Sequence, residues 1–172
     1  MENKTTWAID PSHSDVMFKV RHMMISTVSG HFEDFNATVN ADSDDFSGAE
    51  VEFSAKIDSI NTKNADRDAH LKSDDFFNAE SFPELKFKSK SYDGNKLVGD
   101  LTIRDVTKEV TFDTDFNGVA TDPYGQTKAG FEISGKINRK DFNLTWSAVT
   151  EAGKIVVSDE VKLIVDAQFV KQ

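Results

Sequence analysis

Apolar and polar residues alternate at period two over most of the chain, which is the pattern of half-buried β-strands. The clearest run covers residues 51–59, where Val51, Phe53, Ala55 and Ile57 alternate with polar residues. Turn signals such as Asp93-Gly94-Asn95 separate such runs. The pattern predicts eight or more strands in an antiparallel meander around a single interior, because each strand has one apolar face. Closing the meander into a barrel would remove its edges; a flat sheet or a sandwich is the alternative.

Residues 60–83 interrupt this alternation and predict a helical segment over about 62–78. Asn61 or Thr62 is the expected N-terminal cap, and Ser73 offers a second cap further on. Phe76 and Phe77 cannot both face inward on a strand, but they can share one face at a helix end. We expect this single helical excursion to cover a barrel mouth, a sheet edge or a cavity.

The width of an eight-stranded barrel leaves open whether its interior is solid or hollow, because such a barrel either fills with side chains or holds one small ligand. The chain has 14 phenylalanines that could fill the interior. Several inward positions are nevertheless small: Ala37, Ala55, Ser59, Ser89, Gly99, Ala129, Gly135 and Ala167. A hollow interior would have an apolar wall and would suit a long hydrocarbon chain. Each isoprene unit would then contribute roughly 3–4 kcal/mol, at about 0.8 kcal/mol per buried CH₂.

Charge and composition exclude several classes of function. With 30 acidic and 20 basic residues the net charge is −10, which disfavours nucleic acid and anionic lipid surfaces as partners. The absence of cysteine excludes disulfides, thiolate catalysis and cysteine zinc sites. No apolar run is long enough to span a membrane, and the first residues lack a signal-peptide core. We therefore expect one domain over residues 1–172 in the cytoplasm, or in the periplasm if a signal peptide has been removed.

Candidate chemistry concentrates in the helical segment, which holds Arg67, Asp68, His70 and Asp75. These groups could form an acid/base or anion-binding site, with His70 as the proton carrier. Ion pairs that hold the segment on the barrel are the favoured interpretation, because no nucleophile or oxyanion motif accompanies them. His22 falls on an apolar strand face and suits an interior histidine or a contact to a ligand head group. The histidines lack metal-ligand spacing, so no metal and no cofactor is expected.

Blocks of sequence along the whole chain resemble the YceI-like family. The first is Trp-Ala-Ile-Asp-Pro-Ser-His-Ser at residues 7–14, and the others follow in the family's order at 18–23, 30–32, 60–62, 67–73, 75–77, 99–103, 106–108, 139–142 and 157–161. Asp105 and Asn143 stand where the family usually has glycine, and both residue types tolerate a left-handed backbone better than most.

This resemblance implies a lipocalin-like, eight-stranded antiparallel β-barrel with the helical segment covering it. It also implies an elongated apolar lumen that binds a polyisoprenoid chain, such as a quinone or its precursor, in a carrier or sequestering protein without enzymatic activity. The expected partner is the isoprenoid lipid. We expect no nucleic-acid partner and no stable membrane insertion, and the sequence leaves open whether the protein forms a homodimer. The alternatives are an enzyme that acts on such a lipid through His70 and Asp75, or a ligand-free stress or interaction module.

On this hypothesis the inward side chains of the strands and of the helical segment contact the lipid tail. The expected lumen residues are Phe18, Val20, His22, Met24, Phe53, Ile57, Phe76, Leu101, Ile103, Phe112 and Phe131. Arg67 and His70 are the expected contacts to a polar head group.

Overall fold

The protein is a β-barrel covered at one end by a helix and the turns that follow it. The computed structural model describes residues 4–23, 25–46, 48–146 and 157–172. Within these ranges the strands are β1 (Thr5–Ile9), β2 (Asp15–His22), β3 (Ser26–Phe32), β4 (Phe35–Ala41), β5 (Glu50–Lys56), β6 (Ile60–Asn61), β7 (Glu84–Tyr92), β8 (Lys96–Ile103), β9 (Val106–Thr121), β10 (Thr127–Asn138) and β11 (Val157–Lys171). The helix α1 spans Ala65–Lys72.

Eight of these strands close the barrel in the order β1-β4-β5-β7-β8-β9-β10-β11, and β11 pairs back with β1. All of the pairings are antiparallel. The long strand β11 carries two partners in succession: Leu163 pairs with Phe18 of β2, and Lys171 pairs with Trp7 of β1. Strands β3 and β6 continue the sheet from β2. The predicted eight-stranded antiparallel barrel is therefore confirmed.

A short 3-10 turn at Pro11–His13 separates β1 from β2, so that both strands can follow β11. The Asp10 side chain caps this turn by accepting a hydrogen bond from the Ser12 amide. A second 3-10 turn, Ile57–Ser59, ends the regular pairing of the run that alternates most clearly in the sequence. These turns explain why the strands are more numerous than the closed barrel needs.

The predicted helical segment at about 62–78 is correct in place, but only its centre is α-helix. Asn64, and neither Asn61 nor Thr62, is the N-terminal cap, because its side chain accepts the amide of Arg67. Ser73 ends the helix where the sequence suggested a second start. None of the residues of α1 is fully buried, although Leu71 packs against the core, so most of the apolar cover comes from the turns after the helix, where Phe76 is 7% exposed.

The interior forms two apolar clusters stacked along the barrel axis. One cluster lies at the end away from α1 and is packed around Trp7, Phe46, Phe131 and Phe169. Its rings make close contacts, with centroids 4.9 Å apart for Trp7 and Phe46 and 4.8 Å apart for Phe46 and Phe131. The other cluster lies beneath α1 and the turns after it. Six partly buried residues pack against both clusters and make the interior continuous: Phe35, Val51, Phe53, Tyr92, Ile133 and Val165.

Candidate functional site

A cavity of about 170 Å³ lies inside the barrel, beneath the turns that follow α1. Every residue on its wall except Arg139 is apolar. An apolar cavity of roughly 150 Å³ in another protein stays dry and binds benzene. The interior is thus hollow beneath the cover and largely filled at the opposite end, called the solid end below, which combines the two alternatives that the sequence left open.

Most of the residues expected in the lumen lie on the wall of this cavity. Alternation places those that lie on strands, because residues at i and i+2 share one face of a strand, whereas Phe76 belongs to the turns after α1. They are Phe18, Val20, Phe53, Phe76, Leu101, Ile103 and Phe112. The structure adds Phe87, which the same alternation places inward, and Leu71 and Phe77 from the cover.

Three of the expected lumen residues have other positions, and a fourth is not among the described residues. Ile57 is buried in the core beneath the cover, but it does not line the cavity. Phe131 belongs to the solid end and borders a separate cavity of about 30 Å³. His22 is partly exposed at the end of β2, paired with Ser26 and Val157, and it is off the cavity wall. Met24 lies outside the described residues.

Arg67 and Asp68 hold the start of α1 against the end of β6. The Nε and Nη2 atoms of Arg67 donate to Oγ1 and the carbonyl oxygen of Thr62, at 2.8 and 2.6 Å. Asp68 accepts from the amide and the hydroxyl of Thr62, at 2.9 and 2.5 Å. Because Thr62 is buried and neither charged residue lines the cavity, this arrangement agrees with the interpretation that these groups stabilise the cover.

His70 lies where the cover contacts the segment that follows β10. Its Nε2 is 2.8 Å from Oδ2 of Asp75. Its ring packs edge-on against Phe76 and Trp146, with centroid distances of 5.0 Å to each. The His70–Asp75 pair predicted as an acid/base candidate therefore exists, but neither side chain lines the cavity.

Arg104 joins the cover to the β8–β9 turn, a role that the sequence does not indicate. Its Nη1 donates to the carbonyl oxygens of Asp74 and Phe76, at 3.2 and 3.0 Å, and its Nη2 is 3.2 Å from Oδ1 of Asp74. Arg104 is also the left-handed residue of this turn, with φ 55°, so the neighbouring Asp105 does not need the conformation that glycine favours. Asn143, at φ 62°, does adopt it.

Arg139 is the one charged residue on the cavity wall in the described ranges, and it was not singled out from the sequence. Its side chain is only 3% exposed. The guanidinium donates to four main-chain carbonyls, those of Leu144, Trp146, Val157 and Ser158, at 2.6–3.3 Å. Burial lowers the pKa of Arg139, and the nearby Asp159 opposes this shift. Because its donors are engaged, Arg139 stabilises two segments at the barrel rim, and nothing in the sequence separates it from the exposed Lys140.

The described part of the chain holds no group of three or more histidine or acidic residues that could bind a metal ion. No helix in the described ranges has the length and apolar character needed to cross a membrane.

An eight-stranded antiparallel barrel with a covered apolar cavity defines the lipocalin-like class of binding folds. The chain belongs to the YceI-like domain family, which matches residues 7–169, and the resemblance noted from the sequence is confirmed. It is 40% identical over 166 residues to a UPF0312 protein of Staphylococcus aureus (strain N315), covering 96% of this chain and 97% of that protein.

Solved structures show the same fold. The YCEI protein of Campylobacter jejuni is 35% identical with a TM-score of 0.74, over 88% of this chain and 90% of that one. A polyisoprenoid binding domain from Saccharophagus degradans, implicated in plant cell wall breakdown, has a TM-score of 0.71 over 96% of this chain and 98% of that one. At 12% identity this second likeness concerns the fold alone.

Proposed function

We propose that this protein binds a long apolar lipid of the isoprenoid type, such as a polyprenyl quinone or its precursor, in the barrel cavity and carries or sequesters it. The observation that carries this proposal is the cavity itself, whose wall is apolar except for Arg139. Arg139 directs its donors to main-chain carbonyls, so a ligand in this space meets hydrocarbon. The polyisoprenoid binding domain of S. degradans with the same fold supports the isoprenoid class.

Burial of hydrocarbon supplies the affinity in this proposal. Each CH₂ group transferred from water contributes about 0.8 kcal/mol, so a few isoprene units offset the loss of freedom on binding. The side chains expected at a head group are engaged elsewhere, Arg67 with Thr62 and His70 with Asp75. We therefore assign recognition to the tail and not to the head group.

Native mass spectrometry tests the proposal directly. Protein purified without detergent, and the same protein incubated with a polyprenol, would be compared before and after extraction with organic solvent. We expect an added mass that the solvent removes. The absence of any added mass in both samples would contradict lipid binding and favour the ligand-free alternative.

An enzyme acting on the same lipid is the second candidate, and the pairing of His70 with Asp75 at 2.8 Å is the observation in its favour. We favour binding without chemistry, because neither residue lines the cavity. The variant His70→Ala separates the two functions. An enzyme would lose turnover of the lipid and keep its binding, whereas a carrier shows no turnover in either form.

A further inference from the structure

We infer that three inward-facing glycines, Gly30, Gly99 and Gly135, set the width of the cavity and thereby select the lipid chains that fit, a role that rests on the proposed function. Each glycine lies under the ring of a phenylalanine from a neighbouring strand. A Cβ atom on Gly30 would lie 2.2 Å from Cζ of Phe18, and one on Gly135 would lie 2.6 Å from Cδ1 of Phe112. A Cβ on Gly99 would lie 2.6 Å from Cζ of Phe87. Real Cβ contacts are never this short, so only glycine allows these ring positions.

The three rings line the cavity and do not fill it. A ring that lies over a glycine rests against the sheet, where the missing side chain leaves a shallow depression. A side chain at the glycine would force the ring into another staggered rotamer, and the free direction is toward the barrel axis. Six other phenylalanines pack against one another, and three of them, Phe32, Phe77 and Phe169, also border the cavity. The remaining three, Phe46, Phe116 and Phe131, pack together at the solid end. The glycines thus explain how a chain with 14 phenylalanines keeps space inside.

Backbone conformation does not account for these glycines. None of the three has a positive φ, so alanine could adopt the same backbone at each position. At Gly30 and Gly135 glycine is required because a Cβ atom would collide with the neighbouring phenylalanine ring. At Gly99 the carbonyl oxygen of Lys88 also lies 2.4 Å from the Cβ position, and this main-chain atom cannot rotate away. Gly30 and Gly135 are therefore the informative positions for substitution.

The test compares Gly30→Ala and Gly135→Ala with Gly130→Ala as the matched control. Gly130 is on the same strand as Gly135, and a Cβ there would have no atom nearer than 3.6 Å. Dissociation constants would be measured for farnesol, geranylgeraniol and a longer polyprenol. We expect Gly30→Ala and Gly135→Ala to bind the longer chains about tenfold more weakly, the loss expected for roughly two buried CH₂ groups. Farnesol binding should change less, and Gly130→Ala should match the wild type throughout.

A second substitution tests whether the ring of Phe18 causes the effect of Gly30→Ala. In Gly30→Ala/Phe18→Leu the ring atoms nearest to the new Cβ, Cζ and Cε1, are absent. We expect this double variant to regain the wild-type preference for long chains, and to regain folding if Gly30→Ala alone does not fold. Failure of the rescue would contradict the assigned conflict between Gly30 and Phe18.

A second readout needs no lipid. Xenon enters apolar cavities in proteins. In crystals under xenon pressure, the xenon occupancy of the cavity should be lower in Gly135→Ala than in the wild type, because the displaced ring narrows the cavity. If the wild type binds no prenol, the proposed function fails. If the wild type binds prenols and both alanine variants bind the longest one equally well, the inference about the glycines fails while the proposed function stands.

Discussion

Phe112 and Arg67 differ in what their side chains contact, and this difference separates tail recognition from head-group recognition. The ring of Phe112 is 7% exposed and lines the cavity. The guanidinium of Arg67 donates to Thr62 and is off the cavity wall. A ligand held by its tail should therefore depend on Phe112 far more than on Arg67.

We predict that Phe112→Glu weakens lipid binding by at least about a hundredfold, because a carboxylate in an apolar wall is costly unless it is paired. Arg67→Ala should change affinity by less than about threefold. The outward neighbour Thr111 is exposed, so Thr111→Glu is the matched control for the added charge. Affinities would be measured by quenching of protein fluorescence on titration with a polyprenol. A larger effect of Arg67→Ala than of Phe112→Glu would show that head-group recognition dominates.

Asp10 makes a residue-scale contribution to stability that depends on pH. The hydroxyl of Ser12 donates to its Oδ1 at 2.7 Å and the ring of His13 contacts its Oδ2 at 2.8 Å, which lowers the pKa of Asp10 to about 2. A carboxyl group with a lowered pKa in the folded state stabilises the fold above its unfolded pKa of 3.8, and this stabilisation is lost as pH falls toward 2. Asp10→Asn should therefore be less stable than the wild type at pH 6, and the difference should shrink below pH 3.8. Urea unfolding at several pH values measures this; a difference that is constant with pH would contradict it.

The sequence predicted the cavity wall better than the polar contacts that surround it. Phe18, Leu101 and Phe112 were found because the period-two pattern fixes which side of a strand a residue faces. Arg104 and Arg139 were missed because their partners are main-chain carbonyls, which no side-chain pattern marks, and some of these, such as Phe76 for Arg104 and Ser158 for Arg139, lie far along the chain. An arginine that will be buried looks in the sequence like one that will be exposed, since folding alone determines its partners.

At the scale of elements, the cover is short and depends on contacts from outside itself. The helix α1 has no buried residue, and the turns after it are held by Arg104 from the β8–β9 turn. Arg104 also packs over the ring of Phe82, 5.7 Å from its centroid. Release of this one side chain should loosen the cover without opening the barrel.

We predict that Arg104→Gly speeds hydrogen exchange at the amides of Phe76, Phe77 and Ala79 by about tenfold or more, because these amides close the turns that Arg104 holds. Glycine is the useful substitute, because it keeps the positive φ of this position without strain. Lys108→Ala, at an exposed position on β9, is the control and should leave exchange unchanged. Unchanged exchange in Arg104→Gly would mean that α1 holds the cover without it.

The first residue of α1 could not be predicted from the sequence, because it also depends on contacts that form only on folding. Asn61, Thr62 and Asn64 are all suitable N-terminal caps. Thr62 donates hydrogen bonds from its amide and hydroxyl to Asp68, and Asn64 accepts the amide of Arg67 and so caps the helix. The strand pairings were predictable, because alternation and turn residues are local signals. The choice of cap depends on a contact that only the folded chain supplies.

At the scale of the whole molecule, the solid end sets the depth of the cavity. Val51, Leu97, Ile133 and Phe169 border both the larger cavity and the smaller one beside Phe131. Phe131 packs against Phe46 and Phe116 at centroid distances of 4.8 and 5.0 Å and borders the smaller cavity, on the far side of the four shared residues. Removal of this ring should join the two spaces.

We predict that Phe131→Ala lowers the free energy of unfolding by about 3–5 kcal/mol, as is typical of a large buried ring. The same variant should bind the longest polyprenols more tightly relative to farnesol than the wild type does, because its cavity is deeper. Urea unfolding and the chain-length series would be measured on the same preparation. If stability falls but the preference for chain length is unchanged, the solid end does not limit the length of the chain that binds.

The pairing of β1 with β11 also has a consequence for biosynthesis. Trp7 of β1 pairs with Val39 of β4 on one side and with Lys171 of β11 on the other, and β11 is synthesised long after β1 and β4. The barrel cannot close before β11 is synthesised, and a sheet formed by the earlier strands alone would have two unpaired edges, which are sites for association with other chains. Protection of these edges until β11 pairs, by a chaperone or by rapid completion of synthesis, would favour correct closure of the barrel.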